Sequence, residues 1–411
     1  MPKLSLETRP EKPAALRRPK QLLAYSIDKS GEQHIDDYRS LRYFYYPDTS
    51  LAGRPQLSSG FSNFVKRDES VPKHLNELLR ALTHYEKVHN DGKKVKVDII
   101  TYRGVMTKLL VLAQVLKNRF GDEDVTINAT YFDGSLLMEL DATVEQEKNL
   151  SRQVNKNDQD KERDQQMTYW GYKFESLATL TKPWTQCTRE EIESRDKIVV
   201  DNISEYCCLV RTGVGKVKMI LGAEVDAIYD YNPYDKFDLS GENNKPSEQL
   251  FNEDDKEKDI LPHYVELKTT KVILNPRVAS TFLLKLLRTW AQCFLIGVPK
   301  VVYGFRDDNG YLKSVEEYDT EDLPKLIASA QYVEDNKKWN GNECIAFYAA
   351  AVEWIKNNIP KEEGQVWRIQ YRKGDKDLKL VRVSDFEEEQ RLVEAIVEKD
   401  FKNWRQSLGD Q

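Results

Sequence analysis

Two stretches of period-two alternation, MILGAEVDAIYDY from Met219 and HYVELKTTKVI from His263, constrain the fold of this 411-residue chain more than any other feature. Successive side chains of a strand leave on opposite faces, so Glu224 and Asp226 share one side of the first run while Ala223, Val225 and Ala227 share the other. The second run repeats the arrangement, with Glu266 and Lys268 on one face and Val265 and Leu267 on the opposite one. Flanking Ile220, Leu221, Ile228, Val272 and Ile273 make both runs read as interior strands, and Gly222 permits close backbone approach. Carboxylates on a mostly buried strand need a partner. Three carboxylates and an ammonium drawn together across neighbouring strands form a hard-oxygen cage suited to Mg²⁺ or Mn²⁺ rather than zinc or copper. Lys268 beside it could hold a phosphate oxygen or an attacking water. For either run alone, a solvated sheet face is the simpler alternative.

An apolar share of 40% against 32% charged is that of a globular chain. A formal net charge of −6 excludes a whole-surface electrostatic grip on nucleic acid, so any such site must be a local basic groove. Five cysteines without a CxxC spacing, with Cys207 and Cys208 adjacent, point to a reducing compartment, cytosol or nucleus. His34, His74, His84, His89 and His263 show no ligand spacing with those cysteines, and a structural zinc site is not expected. The sequence shows no secretory signal and no apolar span of membrane length, and reads as neither exported nor membrane-spanning.

Residues 1–30, with Pro2, Pro10, Pro13, Pro19 and the basic Arg17, Arg18 and Lys20, read as a poorly structured arm. Residues 31–411 read as one domain with flexible insertions near 142–166 and 232–262, the second carrying the acidic run NEDDKEKD. A strand over Lys94–Tyr102 and a helix over Gly104–Phe120 put Arg103 at a strand-to-helix junction, where side chains commonly meet substrate anions. Asp133-Gly134 fits the turn of a hairpin. A helix over Gln166–Thr181 carries Glu175 beside its buried Trp170, Phe174 and Leu177; aimed at the acid cluster, Glu175 would ligate a metal or hold its water. Arg189–Val200 reads as a charged helix running into a strand, and Ser384–Leu408 as one closing amphipathic helix. On a long helix from Pro276 to Ile296, Lys285, Arg288 and Gln292 fall at i, i+3 and i+7. Facing the cluster, this stripe would wall a phosphate-binding groove; an exposed stripe is the alternative.

Taken together, the motifs TYRG at Arg103, GYKFE ending in Glu175, EVD at Glu224–Asp226, ELK at Glu266–Lys268, WAQ ending in Gln292 and the following GVPKVVYGFRDD resemble, in order, those of the Rai/DXO family of RNA 5′-end decapping enzymes. The likeness is strongest to the nuclear Rai branch of budding yeasts. It implies an α+β fold: a mixed β-sheet core like that of PD-(D/E)XK nucleases, surrounded by helices, with the active site in a deep pocket. It also implies one or two Mg²⁺ or Mn²⁺ ions held by the side chains of Asp226 and Glu266 and the Leu267 carbonyl, with Glu175 and Glu224 acting directly or through water. Lys268 and Gln292 would address the attacking water and scissile phosphate, and Arg103 the substrate backbone or 5′ phosphates; Lys285 and Arg288 are candidate substrate contacts from the helix stripe alone, not from the resemblance. No motif position is substituted, so an active enzyme is expected. The family's substrates are RNAs with 5′-triphosphate, unmethylated or incompletely methylated caps or NAD caps, each left with a 5′-monophosphate. The nuclear branch pairs with a 5′-to-3′ exoribonuclease, which implies a nuclear heterodimer linked to mRNA and rRNA processing and transcription termination. Three other readings share these residues: a cytosolic-branch enzyme with its own exonuclease activity, a restriction-type DNA nuclease, and a non-catalytic stabilising subunit.

Overall fold

Sixteen strands run through the described residues: β1 (Lys3–Ser5), β2 (Leu16–Ile27), β3 (Gln33–Ile35), β4 (Tyr43–Phe44), β5 (Ile99–Tyr102), β6 (Val125–Phe132), β7 (Ser135–Leu140), β8 (Thr179–Leu180), β9 (Glu205–Val214), β10 (Val217–Glu224), β11 (Ala227–Ile228), β12 (Tyr264–Lys271), β13 (Lys300–Arg306), β14 (Leu312–Asp319), β15 (Val366–Tyr371) and β16 (Asp377–Arg382). The helices are α1 (Asn76–Val88), α2 (Arg103–Lys117), α3 (Ala142–Val154), α4 (Asp158–Leu177), α5 (Arg189–Glu193), α6 (Pro276–Ile296), α7 (Leu323–Ser329), α8 (Gly341–Asn358), α9 (Phe386–Ile396) and α10 (Lys399–Gly409). The structure, a computed structural model, describes residues 1–9, 14–47, 53–117, 124–154, 156–229, 259–331 and 333–409.

The strands form two mixed sheets, one ordered β1-β16-β15-β6-β7-β5-β10-β9-β2-β3 and the other β14-β13-β12-β11-β4-β8. In the first, β5 runs parallel to both β7 and β10, so β5 and β10 end side by side, with Tyr102 opposite Gly222. In the second, β12 lies parallel to β13. On β10, Met219 and Leu221 join the core built with α2, α6 and α8, while Ile220 joins the core on the opposite face with α1 and Phe401 of α10. Both faces of this strand are covered, as the continuous apolar run requires. A Cβ at Gly222 would stand 2.6 Å from Leu78 Cδ1 of α1, so only glycine allows this approach.

The helix α6 packs against strands of both sheets and joins them in one core. Its ends are written in the sequence. Asn275 caps the first turn by accepting from the Val278 N–H, Pro276 occupies the first turn, and Gly297 closes the helix at φ 81°. Asp133 and Gly134, both at positive φ, make the expected tight turn between β6 and β7.

Several expectations are corrected. The described residues among the first 30 are not a loose arm, because β2 lies between β9 and β3 with Leu22 to Ile27 buried. Pro19, which lacks an N–H, falls within the register shift between Arg17 and Lys20, where the ladder needs no donor from it. The single strand expected through Asp226 is two. The chain leaves the first sheet after Glu224 and enters the second at Ala227, with Val225 and Asp226 between. Residues 142–166, read as a polar, exposed connection or loosely held helix, hold α3, none of whose residues is buried, and from Asp158 the first half of α4, capped by Asn157. Arg189–Val200 holds the short α5 and a 3₁₀ turn but no strand, because a capping box at Thr188 fixes the start and Arg195 turns back to the Tyr45 and Leu177 carbonyls. The closing helix is two, α9 and α10. Of the acidic insertion read over 232–262, residues 232–258 lie outside the described residues. Among the described residues, no helix is long and apolar enough to cross a membrane.

Candidate active site

The crossing between the sheets is where the acids meet. Glu224 ends β10, Arg103 follows its parallel neighbour β5, and Glu266 and Lys268 stand on the interior strand β12. The helix α4 packs on β12 and brings Glu175 from its last turns. Lys268 Nζ lies 2.6 Å from Glu266 Oε1, 3.3 Å from Asp226 Oδ2 and 3.1 Å from the Leu267 carbonyl oxygen. The Leu267 N–H donates to Asp226 Oδ2 at 2.6 Å, tying the inter-sheet crossing to β12. Arg103 Nη1 donates to Glu266 Oε2 at 3.1 Å, with Glu266 only 2% exposed. A cavity of about 280 Å³ opens over Glu175, Glu224 and Asp226, with Arg42, Tyr172 and Glu205 also in its wall.

The charges are unevenly shared. Burial would raise the Glu266 carboxyl, but Arg103 and Lys268 hold it down to about 2. Burial opposes the charge of Lys268, yet Asp226, Glu266 and Glu175 keep it firmly protonated. Burial raises Glu175 well above the usual carboxylate range, and Asp226 adds to the rise. Asp226 is raised as well, chiefly by burial, with Lys268 and the Leu267 N–H opposing. Glu224 is open to the cavity, yet desolvation in this concave site, then Glu205 and Asp226, push it up to about 7. The site therefore holds more carboxylate than its own cations compensate.

A pH dependence follows from the sign of these shifts. A carboxyl raised on folding carries no penalty below its unfolded value and the full penalty above its folded one. In EDTA, the melting temperature should fall as pH climbs through the window from about 5 to about 7, and Glu224→Gln should flatten that slope. Glu266 acts oppositely and lower: its contribution is present above the usual glutamate value of 4.5 and is lost as pH falls through about 2. Scanning fluorimetry across both windows checks the two signs; a melting temperature that rises between about pH 5 and about pH 7 would contradict the assignment.

The family model for RAI1 like PD-(D/E)XK nucleases matches residues 17–402. The chain belongs to that family. The decapping nuclease RAI1 of Debaryomyces hansenii is 38% identical over 409 residues, covering 97% of this chain and 96% of the relative. Rai1 of Candida albicans, solved in complex with pU5-Mn²⁺, superposes with a TM-score of 0.87 at 34% identity, covering 99% of both chains. Rai1 of Scheffersomyces stipitis, solved with (3′-NADP)⁺ and calcium, gives 0.86 at 35% identity, covering 99% of this chain and 100% of the other. The α+β class and mixed-sheet nuclease core expected from the sequence are those of this RAI1-like chain.

Of the residues singled out in the sequence, Glu175, Glu224, Asp226, Glu266, Leu267 and Lys268 come together. Arg103 joins them as the buried partner of Glu266, 8% exposed, and faces that carboxylate rather than the open cavity. The α6 stripe divides. Arg288 and Gln292 line a groove with Gly104, Thr107 and Lys108 of α2, whereas Lys285 lies in a separate groove with Thr269 and Arg306. Sequence reading missed Glu205, which Arg67 and Lys73 hold by ion pairs. The signal was there in β9: Cys207 is opposite Glu224, and Glu205, two residues earlier, shares its face.

Proposed function

We propose that this RAI1-like chain is a divalent-metal-dependent hydrolase of RNA 5′ ends, removing pyrophosphate, incomplete caps or NAD caps and leaving 5′-monophosphate RNA. The observation that carries the reading is the convergence of Asp226 Oδ2, Glu266 Oε1 and the Leu267 carbonyl on one ammonium, Lys268 Nζ, within 3.3 Å. Three oxygens already gathered about a cation, with Glu175 and Glu224 in surplus beside them, fit a hard divalent ion. Bound there, such an ion would activate the attacking water and offset charge developing on the phosphate. The relatives' complexes with pU5-Mn²⁺ and with (3′-NADP)⁺ and calcium support both the ion and the nucleotide end.

The residues divide the work. Asp226, Glu266, the Leu267 carbonyl and, from the cavity wall, Glu175 and Glu224 would hold the ion. Arg103 fixes Glu266 from behind, so that carboxylate is oriented before substrate arrives. Lys268 remains protonated beside the site and can donate to a phosphate oxygen, stabilising charge as it grows. Arg42 in the cavity wall offers a cation to the nucleotide phosphates. Gln292 and Arg288, in the groove against α2, offer polar and basic surface to an RNA chain, and Lys285, in a separate groove, is a second basic position.

We further propose, from the motif resemblance alone, a nuclear location and a heterodimer with a 5′-to-3′ exoribonuclease; imaging of the tagged chain tests the first and co-elution of the purified proteins the second. The deciding assay for activity uses matched RNAs bearing triphosphate, unmethylated cap, methylated cap, NAD or monophosphate ends, with Mg²⁺, Mn²⁺ or EDTA. Metal-dependent release of pyrophosphate, cap dinucleotide or NAD, leaving monophosphate RNA, is expected. Progressive shortening of monophosphate RNA would assign an exonuclease instead. No turnover on any end would leave the stabilising-subunit reading.

A further inference from the structure

Away from the cavity, the loop after β3 and the end of α1 bring together three side chains that spacing alone did not connect. His84 Nε2 lies 2.9 Å and His89 Nε2 lies 2.6 Å from the same oxygen, Asp36 Oδ2. All three ligand atoms fall within 4.8 Å of one another. Spacing between histidine and cysteine could not point to this group, because the partner is a carboxylate distant in sequence. From this geometry we infer that Asp36, His84 and His89 form a binding site for a transition-metal dication such as Zn²⁺, joining α1 to the β3–β4 connection.

Two ion pairs would by themselves account for short contacts, but not for how they are arranged. Two imidazoles that only hydrogen-bond a carboxylate are best served by one oxygen each. Here both aim at Oδ2, while Oδ1 is buried without a hydrogen-bond partner in the described structure. A carboxylate oxygen can accept from two imidazoles, so the feature that ion pairing leaves unexplained is the buried, unpartnered Oδ1 beside them. Asp36 also holds a left-handed backbone, φ 55°, fixed by its N–H donating to the Ala24 carbonyl, so the carboxylate is presented by a constrained residue. Two imidazoles and one carboxylate suit zinc and its neighbours rather than Mg²⁺, and leave a fourth position for water. The neighbouring group of Asp28, Glu32 and His34 makes the contrast. There Arg39 Nη1 already lies 3.2 Å from His34 Nε2, and a guanidinium occupies the place of a metal.

Side-chain exposures of 25% for Asp36, 36% for His84 and 16% for His89 leave the site reachable from solvent. The probe is Zn²⁺ added to the full EDTA-stripped chain in excess Mg²⁺, which keeps the carboxylate cavity filled. Calorimetry should find one Zn²⁺ per chain, and His84→Ala and Asp36→Asn should each weaken it by at least roughly 10-fold. Co²⁺ in its place should give the strong visible absorption of a four-coordinate imidazole site. Zinc binding unchanged in His84→Ala and His89→Ala, or a Co²⁺ spectrum of six-coordinate oxygen type, would overturn the inference, as would no binding at all. If His89→Ala, the more buried of the pair, does not fold, His84→Ala and the wild-type Co²⁺ spectrum still decide. RNA turnover is not the readout, so failure here leaves the hydrolase reading untouched, and the reverse.

Discussion

Glu266→Gln is expected to lower turnover of 5′-triphosphate RNA by on the order of 10³-fold and, unusually for an active-site change, to destabilise the fold. Glu266 is the counter-ion of two cations, the buried Arg103 at 3.1 Å and the half-buried Lys268 at 2.6 Å. A neutral amide leaves Arg103 inside the protein with its nearest anion gone, and breaking such a pair costs about 3 kcal/mol or more. Removing Glu224 and Asp226 together should also abolish turnover, but with the opposite stability effect in EDTA. Both carboxyls are raised chiefly by burial, and Asp226 adds to the rise of Glu224, so deleting the pair relieves uncompensated charge that offsets the lost Asp226 contacts to the Leu267 N–H and Lys268. The measurement is a pair of urea unfolding curves beside a pyrophosphate-release assay. Glu266→Gln should move the midpoint down, and Glu224→Ala with Asp226→Ala should leave it unmoved or higher. Equal destabilisation by both would mean that Glu266 and the other acids are not divided into counter-ion and surplus charge, as the geometry has them.

That division could not be read from the sequence, although its members could. Alternation placed Glu266 and Lys268 together on β12, because a strand's period of two is a local property, whereas Glu224 and Asp226 meet at the crossing from β10 to β11 and not on one strand face. The pairing of Arg103 with Glu266 spans 163 residues and depends on which strands become neighbours, which no local pattern states. Turns and caps were legible for the same local reason: Asp133-Gly134, Asn275-Pro276 and Gly297 each do their work within a few residues. The arm before residue 30 was misread because composition was weighed over the apolar run from Leu22 to Ile27, whose burial comes from β9 far along the chain. The α6 stripe divides for a different reason. Lys285 and Gln292 do share a helix face, but seven residues of helix span about 10 Å, enough for the two ends to look into different grooves. His84, His89 and Asp36 were invisible because a search for histidine beside cysteine does not find a carboxylate on another element.

Arg405→Ala, far from the chemistry, should cost about 4 kcal/mol of stability with turnover per folded molecule unchanged. Arg405 and Glu86 are 1% and 0% exposed, and Arg405 donates from Nε and Nη2 to Glu86 at 2.9 and 2.6 Å, and from Nη1 to Asp133 at 2.7 Å. Glu86 also accepts from the Trp404 indole N–H and the Val95 N–H, at 2.9 and 2.8 Å. Four donors meet one buried carboxylate, and the arginine alone supplies the compensating charge. Truncating it leaves an anion in the core between α1 and α10 with only neutral donors, a large fraction of the roughly 5–15 kcal/mol that holds a domain folded. The penalty belongs to the stranded charge and not to a lost bond, so it should be partly reversible. Glu86→Gln added to Arg405→Ala removes the charge while its amide oxygen still accepts from Val95 or Trp404, and the double variant should be more stable than Arg405→Ala alone. Chemical denaturation of the four species of that cycle measures the coupling. Additive losses would show that packing of the arginine stem, rather than its charge, ties α10 to α1.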